Sequence, residues 1–580
     1  MPVHNADIAG MFDEIADLLE IQEANPFRVR AYRNAARTVE NLSLELAGAV
    51  GSGQRLPKLP GIGADLAAKI EEIVRTGTCG LLVRLRKELP AGVTELLRVP
   101  GLGPKRVKAL YRDLAVKTLP QLLRAAEQGR VRELQGFGPA RETQIAGAVK
   151  RQLSKARRFK LAVATQYARP FADYLRGVRG VDRVEVAGSY RRMRDTVGDL
   201  DILVTAKAAE AVMTRFAAYP EVAETLAKGE TRASVLLRSG LQVDLRVVDP
   251  DCFGAALHYF TGSKAHNVAV RRMAQRKGLK ISEYGVFRGS RRIAGETEES
   301  VYAAVGLPWI APELREDRGE LEAAARGELP KLVELGDLTG DLHVHTKASD
   351  GHDTVRDMAL AAKAHGFAYL AITDHSQQQR VAHGLDATRL AKQIGEIDRL
   401  NGELGGITLL KGAEVDILDD GALDLPDSIL GKLDVVVAAV HSRFDLPRAR
   451  QTARILKALD HPLVNVLAHP TGRLIEEREP YDVDMARIVR RARERGVLLE
   501  VNAQPSRLDL TDVHCRMAKD EGALVSLDSD AHSVHDLDDL RFGIGQARRG
   551  WLEARDVANT RPLKELRALL ERRRAGKRTA

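Results

Sequence analysis

A chain of 580 residues with 44% hydrophobic content is long enough for several buried cores, and a prior of about 150 residues per domain predicts three to five of them. Apolar runs such as Leu433 to Val440 fall far short of the ~18 residues a membrane span needs, and the acidic, amphipathic start MPVHNADIAGMFDEIADLLE is no basic-apolar signal peptide. A cytoplasmic protein with no membrane partner is therefore expected, and three scattered cysteines, Cys79, Cys252 and Cys515, supply neither a disulfide framework nor a zinc spacing.

The net charge of +9 is unevenly spread: residues 1–300 hold 49 Lys and Arg against 34 Asp and Glu, and the remainder 40 against 46. A basic surface concentrates polyanions and gains affinity by counterion release, so nucleic acid is the expected partner of the front half. Residues 1–150 read as short amphipathic helices punctuated by Gly and Pro. A near-repeat runs through them: LPGIGADLAAKI at Leu59 to Ile70, VPGLGPKRVKAL at Val99 to Leu110, and the weaker LQGFGPARETQI at Leu134 to Ile145. In each, a Gly-x-Gly turn opens a helix whose unpaired N–H groups aim outward, a geometry that holds a phosphate without reading a base. One glycine turn between packed helices is ordinarily only that. Three in a basic region predict DNA-backbone binding through Gly61, Gly63, Gly101, Gly103 and Lys105.

Residues 151–310 change to a mixed α/β unit, with strands predicted in VDRVEVAGSY, GDLDILVTA, ASVLLRSG and LQVDLRVVD and a hairpin turn at Ser239-Gly240. Asp199 and Asp201 are two apart, so on a strand both carboxylates share one face, and Asp244 comes from a later strand. Three converging carboxylates repel unless divalent cations neutralise them, and oxygen-only ligation suits Mg²⁺ or Mn²⁺ in a phosphoryl transfer. An isolated Asp-x-Asp is commonly two solvated residues, but the upstream GSYRRMR adds donors at Gly188 and Ser189 and charge at Arg191 or Arg192 for a triphosphate. The charged residues 311–340 read as a linker.

Residues 341–575 alternate strand-like runs with helical stretches, seven runs from DLHVH to ALVSLDSDAH, which predicts parallel β/α units closing into a barrel. Twelve of the 15 histidines lie here. His343, His345, His375, His441, His469 and His532 end such runs, and with Asp350, Glu414 and Asp530 make nine candidate ligands. A lone histidine is usually a hydrogen-bonded structural residue, but burying nine polar groups without partners costs too much. The mixed set suits two or three ions such as Zn²⁺ or Mn²⁺, which would activate water for phosphoester hydrolysis. His352, Asp353, His365, His383, His461, His514 and His535 are left as surface or supporting residues.

The succession GSYRR, GDLDIL, VDLRV and YFTGSKAHN, behind AYRNAARTVENL and the helix-hairpin-helix repeats, resembles the X family of DNA polymerases, of which DNA polymerase beta is the best known. The resemblance implies a nucleotidyltransferase palm in which Asp199, Asp201 and Asp244 hold two catalytic metals and Gly188, Ser189, Arg192 and Gly198 contact the incoming deoxynucleoside triphosphate. Tyr259, Phe260, Thr261, Gly262 and Asn267 would line its sugar and base, and Arg271 would face the template. The sequence departs from the beta enzyme at Gln242 (an arginine there), Met193 (a glycine) and Val268 (a lysine). Lys69 matches the family's Schiff-base lysine for removing a 5′-deoxyribose phosphate and Tyr32 a supporting tyrosine, but Asp65 stands at a basic position, and a helix lysine also reads as solvated or phosphate-contacting.

The C-terminal pattern resembles the PHP (polymerase and histidinol phosphatase) domain, a distorted β/α barrel of about seven strands. Its union with the polymerase motifs is the arrangement of bacterial X-family polymerases, where it is linked to Mn²⁺-dependent 3′-5′ exonuclease activity and sometimes to abasic-site cleavage. What the resemblance implies is a monomeric DNA repair enzyme of the base excision type, filling short gaps in gapped or primed DNA. One rival keeps the polymerase but makes the PHP domain a phosphatase; another makes it a structural, metal-bound scaffold.

Overall fold

The computed structural model describes residues 3–575 except 41, 43–45, 52–55, 57, 58, 60, 90, 100 and 155–157, so Pro60 and Pro100 of the first two hairpin motifs lie outside it. The chain divides into two compact units, one running to Phe159 and including Pro220–Ala223 and Leu237–Gly240, the other holding Lys160–Tyr219, Glu224–Leu236 and the chain from Leu241. No described helix is long and apolar enough to cross a membrane.

The first unit is helical. In α1 (Asn5–Ile21) and α2 (Pro26–Glu40) the apolar faces meet, with Phe12 edge-on to the buried Tyr32 at 5.6 Å. The hairpin motifs lead into α3 (Ala64–Thr76), α4 (Pro104–Leu114) and α5 (Pro139–Ser154). Gly61, Gly101 and Gly136 have φ of +59°, +88° and +84°, backbone that strains any L side chain, which is why the motif needs its first glycine. Gly63 and Gly103 are the extended N-caps of α3 and α4. Arg106 and Arg141 each donate back to the turn, to Gly101 O at 2.7 Å and Gly136 O at 2.8 Å.

In the second unit β1 (Val181–Val186) runs antiparallel to β2 (Asp199–Ala206), and β3 (Arg232–Leu237) antiparallel to β4 (Gln242–Val247), while β2 and β4 are parallel neighbours. Two helices follow, α6 (Phe253–Thr261) and α7 (Lys264–Arg276), with a three-stranded antiparallel sheet. Residues 311–340, expected as a linker, contribute Leu314, Leu321, Ala324 and Leu332 to the core formed around Val270, Val301 and Tyr302. Their charge conceals this because it is satisfied inside: the fully buried Arg315 donates to Glu298 Oε1 at 2.5 Å and to Ile310 O at 2.9 Å.

From Gly340 seven parallel strands lie side by side in chain order: β5 (Gly340–Val344), β6 (Tyr369–Ile372), β7 (Thr408–Asp416), β8 (Val435–Ala439), β9 (Val466–Leu467), β10 (Leu498–Asn502) and β11 (Val525–Asp528). Val344 bridges Ala531 just past β11, and His345 N donates to Ala531 O at 2.8 Å, so the first strand meets the last. The period of two divides the strands between two cores. Val435, Val437 and Ala439 join Leu566 and Leu570 of the C-terminal helix, while Val436 and Ala438 join Ile455 and Leu459 of the helix after β8. Parallel strands put all their carboxyl ends at one rim, which is where barrel chemistry collects.

Candidate active sites

The palm site is built by register. Asp201 on β2 pairs directly with Asp244 on β4, and Asp199 is two residues back on the same face. Burial, then Asp199, then Asp244 push the Asp201 carboxyl up to about 7, against the smaller opposing pull of Arg246 and Arg192, the signature of a buried carboxylate crowded by like charge. Gln242, where the beta enzyme has an arginine, donates from Nε2 to both oxygens of Asp244 at 3.3 Å, and Ser234 Oγ also donates to Asp244. Gly188, at φ +66°, approaches so closely that a Cβ would sit 2.6 Å from Asp201 Oδ2. It opens a single helical turn through Ser189, Tyr190 and Arg191.

The two arginines are used differently. Arg191 is committed to Glu298, with both nitrogens at 2.8 Å, and to Thr261 Oγ1 at 2.7 Å. Arg192 donates to Thr261 O and, from Nε, to Glu316 Oε1 at 3.1 Å, and its charge acts on Asp201. Gly262, φ +70°, leaves room for it, since a Cβ there would lie 3.1 Å from Arg192 Nη1. Asn267 Nδ2 donates to Tyr259 O at 2.7 Å, Phe260 is edge-on to Tyr259, and Arg271 Nε donates to Asn267 O at 3.3 Å. Thus Gly188, Arg192, Thr261 and Gly262 gather near the aspartates, and Tyr259, Phe260, Asn267 and Arg271 form a linked group on α6 and α7. Gly198 directly precedes Asp199, and Ser189 takes Arg194 N on its main-chain oxygen at 3.1 Å.

The barrel rim brings all nine candidate ligands together around the buried Glu414. Glu414 Oε2 lies 2.7 Å from His375 Nδ1 and 3.6 Å from both His343 Nε2 and His345 Nε2; Oε1 lies 2.9 Å from His469 Nε2 and 3.2 Å from His441 Nε2. Asp530 Oδ1 is 3.2 Å from His345 Nε2, and Asp350 is 3.4 Å from His375 and 3.6 Å from His532. Three overlapping groups have donor atoms all within 4.8 Å of one another: His345, Asp350, His375 and His532; His343, His345 and Asp530; His375, Glu414 and His441. The palm aspartates are not among these groups. Glu414, which burial alone would raise, is held well below the carboxylate range by His441, His375 and His343. Burial, with His532 and His375 alongside, lowers His345 to about 4. His345 Nδ1 is buried without a hydrogen-bond partner, and Glu414 Oε2 and His375 Nδ1, although 2.7 Å apart, are not aligned as a hydrogen bond; a cation fits as the missing partner of these atoms.

Sequence reasoning missed the residues behind these ligands. His343 Nδ1 donates to Glu500 Oε1 at 2.5 Å, and Glu500 Oε2 accepts from His469 N at 2.6 Å. Asp416 Oδ1 takes His441 Nδ1 at 2.6 Å, and Asn502 Nδ2 reaches Asp530 Oδ2 at 3.0 Å. Such partners fix the tautomer and orientation of a ligating imidazole. Asp416 stands two residues after Glu414 on β7, and Glu500 and Asn502 two apart on β10, so the same-face rule applied to GAEVDI and LLEVN was the available signal.

A cavity of about 450 Å³ opens beside the cluster, lined by Lys347, Ser349, Gln377, Arg380 and Arg389 among others. Ser349 Oγ donates to Asp374 Oδ1 at 2.5 Å and lies 3.2 Å from Asp350 Oδ1, which sets the cavity against the ligand set. Arg389 is spent on the carbonyls of Ala348, His383 and Gly384, whereas Lys347 and Arg380 form no ion pair among the described residues.

In the helical unit Gly61, Gly63, Gly101, Gly103 and Lys105 are exposed. Lys69 lies on α3, its Nζ 2.5 Å from Asp65 Oδ1. Burial opposes its charge, but Asp65 and Tyr32 raise its pKa above the ordinary lysine value.

The sequence matches the helix-hairpin-helix domain over residues 3–79, the SAM-like helix-hairpin-helix tandem over 93–151, the DNA polymerase beta palm over 170–254, the DNA polymerase beta thumb over 256–316 and the PHP domain over 341–504. It is 39% identical over 577 residues to the DNA polymerase/3′-5′ exonuclease PolX of Bacillus subtilis (strain 168), covering 98% of this chain and all of that one. A probable phosphatase of Thermoanaerobacter sp. (strain X514) is 31% identical over 209 residues, 34% of this chain and 80% of that protein. A probable phosphatase of Acetivibrio thermocellus is 32% identical over 202 residues, 33% and 78% respectively.

Proposed function

The chain belongs to the X family of DNA polymerases, in the branch that carries a PHP domain, and from that premise we propose that it is a DNA repair enzyme. It extends primers and fills short gaps with its palm, and removes 3′ nucleotides with its barrel. The observation that carries the polymerase reading is the β2–β4 register that sets Asp201 beside Asp244 with Asp199 on the same face.

In the palm, Asp199, Asp201 and Asp244 would hold Mg²⁺ or Mn²⁺. Such ions, when bound, lower the cost of ionising the primer hydroxyl and neutralise charge on the transferred phosphoryl group. The chain's own residues do the positioning. The bare α-carbon of Gly188 brings the backbone of the Gly188–Arg191 turn against Asp201, and Arg192 offers the triphosphate a planar, fixed charge. Arg191, tied to Glu298 by both terminal nitrogens and to Thr261 by one, instead braces the turn. Tyr259, Phe260 and Asn267 line the sugar and base, Arg271 faces the template, and the exposed hairpin glycines with Lys105 hold DNA phosphates.

At the barrel the nine ligands would hold two or three Zn²⁺ or Mn²⁺ ions. Lys347 and Arg380, which have no carboxylate partner among the described residues, supply the adjoining cavity with charge for a phosphodiester strand. The phosphatase alternative rests on the probable phosphatases that the barrel resembles and is separated by substrate: release of nucleotides from a labelled 3′ end against release of phosphate alone. Lys69 is a weak candidate for lyase chemistry, because Asp65 stabilises its charged form.

The test is incorporation on labelled gapped DNA by Asp199→Ala and Asp201→Ala. Loss of a direct metal ligand exceeds the 10–100-fold that removing a supporting residue costs, so a fall of more than about 100-fold is expected with exonuclease activity retained. Incorporation within a few-fold of wild type in either variant discards the assignment.

A further inference from the structure

Arg192 connects the palm to the end of a barrel helix within the second unit. Its Nε shares one oxygen, Glu316 Oε1, with Nη1 of Arg549, at 3.1 Å and 2.9 Å respectively. Arg549 ends α8 (Leu540–Arg549), which follows the last barrel strand. The same Nη1 donates to the main-chain oxygen of Arg192 at 2.9 Å, while Nη2 donates to Asp512 Oδ2 at 2.6 Å, on the barrel helix Asp512–Glu521. Asp512 is met in turn by Arg318 at 2.9 Å. Arg549 is only 4% exposed, so the guanidinium works in a site where water competes little.

A second, independent contact fixes the same spot. Met193, the residue after Arg192, has φ +53° and lies against α8 so tightly that a Cβ added at Gly545 would fall 2.6 Å from its Cε and 3.0 Å from its Cβ. The backbone carrying Arg192 thus rests on one face of this helix, against the bare Gly545 and, four residues on, the guanidinium bonded to its carbonyl.

We propose that Arg549, from the PHP part of the chain, is a positioning residue for nucleotide binding at the palm, acting through Arg192. The inference rests on the reading that Arg192 meets the triphosphate. Arg549 does two things in the same direction. It fixes the main chain of Arg192, and it shares the negative charge of Glu316, so that Arg192 is not fully neutralised and keeps charge for the triphosphate. Without Arg549 the Glu316 carboxylate falls to Arg192 and Arg194, the latter 3.7 Å away, and Arg192 must be drawn off that carboxylate before it can bind nucleotide. The expected consequence is weaker nucleotide binding with an unchanged chemical step.

The experiment uses the full-length protein on gapped DNA, with KM for the deoxynucleoside triphosphate, kcat and 3′-5′ degradation measured for R549M, R549K, R192A, R192A/R549M and R548M. Arg548 pairs with Glu313 at 2.7 Å from the same helix end and reports general loosening of that interface. R549M is expected to raise KM roughly tenfold with kcat and exonuclease rates within about twofold, R549K to recover part of the loss, and R548M to keep the wild-type KM. R192A/R549M is expected to match R192A, because the two residues act as one unit. Wild-type KM in R549M, an equal rise in R548M, or multiplying effects of R192A and R549M overturns the proposal. If R549M does not fold, wild-type KM in R549K does the same. Wild-type KM in R192A also overturns it, by removing the reading of Arg192 on which it stands, and that failure is distinguishable because it appears without any change at Arg549.

Discussion

The palm and the barrel solve opposite electrostatic problems. In the palm three carboxylates face one another with no imidazole between them, and Asp201 is pushed up to about 7. In the barrel every carboxylate of the cluster is met by histidines, and Glu414 alone touches five of them. A cluster that balances its own charge can stand fully assembled. A carboxylate triad is completed only by cations and by the phosphates of its substrate. The barrel site is thus stored in the fold, whereas the palm site is finished by the nucleotide.

Removing one imidazole should disturb the barrel most. His343 bonds Glu500 on one side and faces Glu414 and Asp530 on the other, so His343→Ala leaves three buried carboxylates short of a partner. Exonuclease activity is expected to fall by more than about 100-fold while nucleotide incorporation stays within about twofold. Degradation of a labelled 3′ end at the wild-type rate would show that the cluster is not the nuclease. Loss of incorporation in a folded protein would show that the palm draws on the barrel's ions.

A smaller effect tests whether the barrel site is stored in the fold by more than its ligands. Glu500→Gln keeps the size of the side chain but cannot accept from His343 Nδ1 and His469 N with full negative charge. Removing such a partner costs metal affinity or activity about 10- to 100-fold, so the variant should need correspondingly more Mn²⁺ for half-maximal exonuclease activity. An unchanged Mn²⁺ requirement would mean that the ligands orient themselves.

These two variants also mark what the sequence could disclose. The same-face pair Asp199 and Asp201 and the histidines ending successive strands were legible because period two ties sequence spacing to direction. The seven-stranded closure followed from strands alternating with helices. Glu500 and Asp416 escaped because one acidic residue in an apolar strand has several readings until the chain that returns beside it is known. Arg549 escaped for the same reason, since its partners Arg192 and Glu316 are hundreds of residues away. Residues 311–340 looked like a linker because charge counts as surface, yet Arg315 and Glu298 pair inside the core.

In the helical unit one carboxylate bears on the state of one amine, and a small effect is expected there. Schiff-base formation on a 5′-deoxyribose phosphate needs a neutral lysine. Asp65 and Tyr32 outweigh burial and hold Lys69 above its ordinary pKa. The sign is therefore against the reaction: a raised lysine pKa lowers the neutral fraction at every pH below it, by tenfold per unit. Asp65→Ala removes that stabilisation and leaves burial to favour the neutral amine. Because Asp65 is 81% exposed, solvent screens the pair, and the gain should be only about threefold, read as borohydride trapping of the protein on 5′-deoxyribose phosphate DNA near neutral pH. Lys69→Ala should abolish the trapped species. Trapping that is already strong in the wild type and indifferent to Asp65→Ala would show that the ion pair does not set the reactivity of Lys69, and that a neighbouring carboxylate rules the charge of a site only where, as in the barrel, water is shut out.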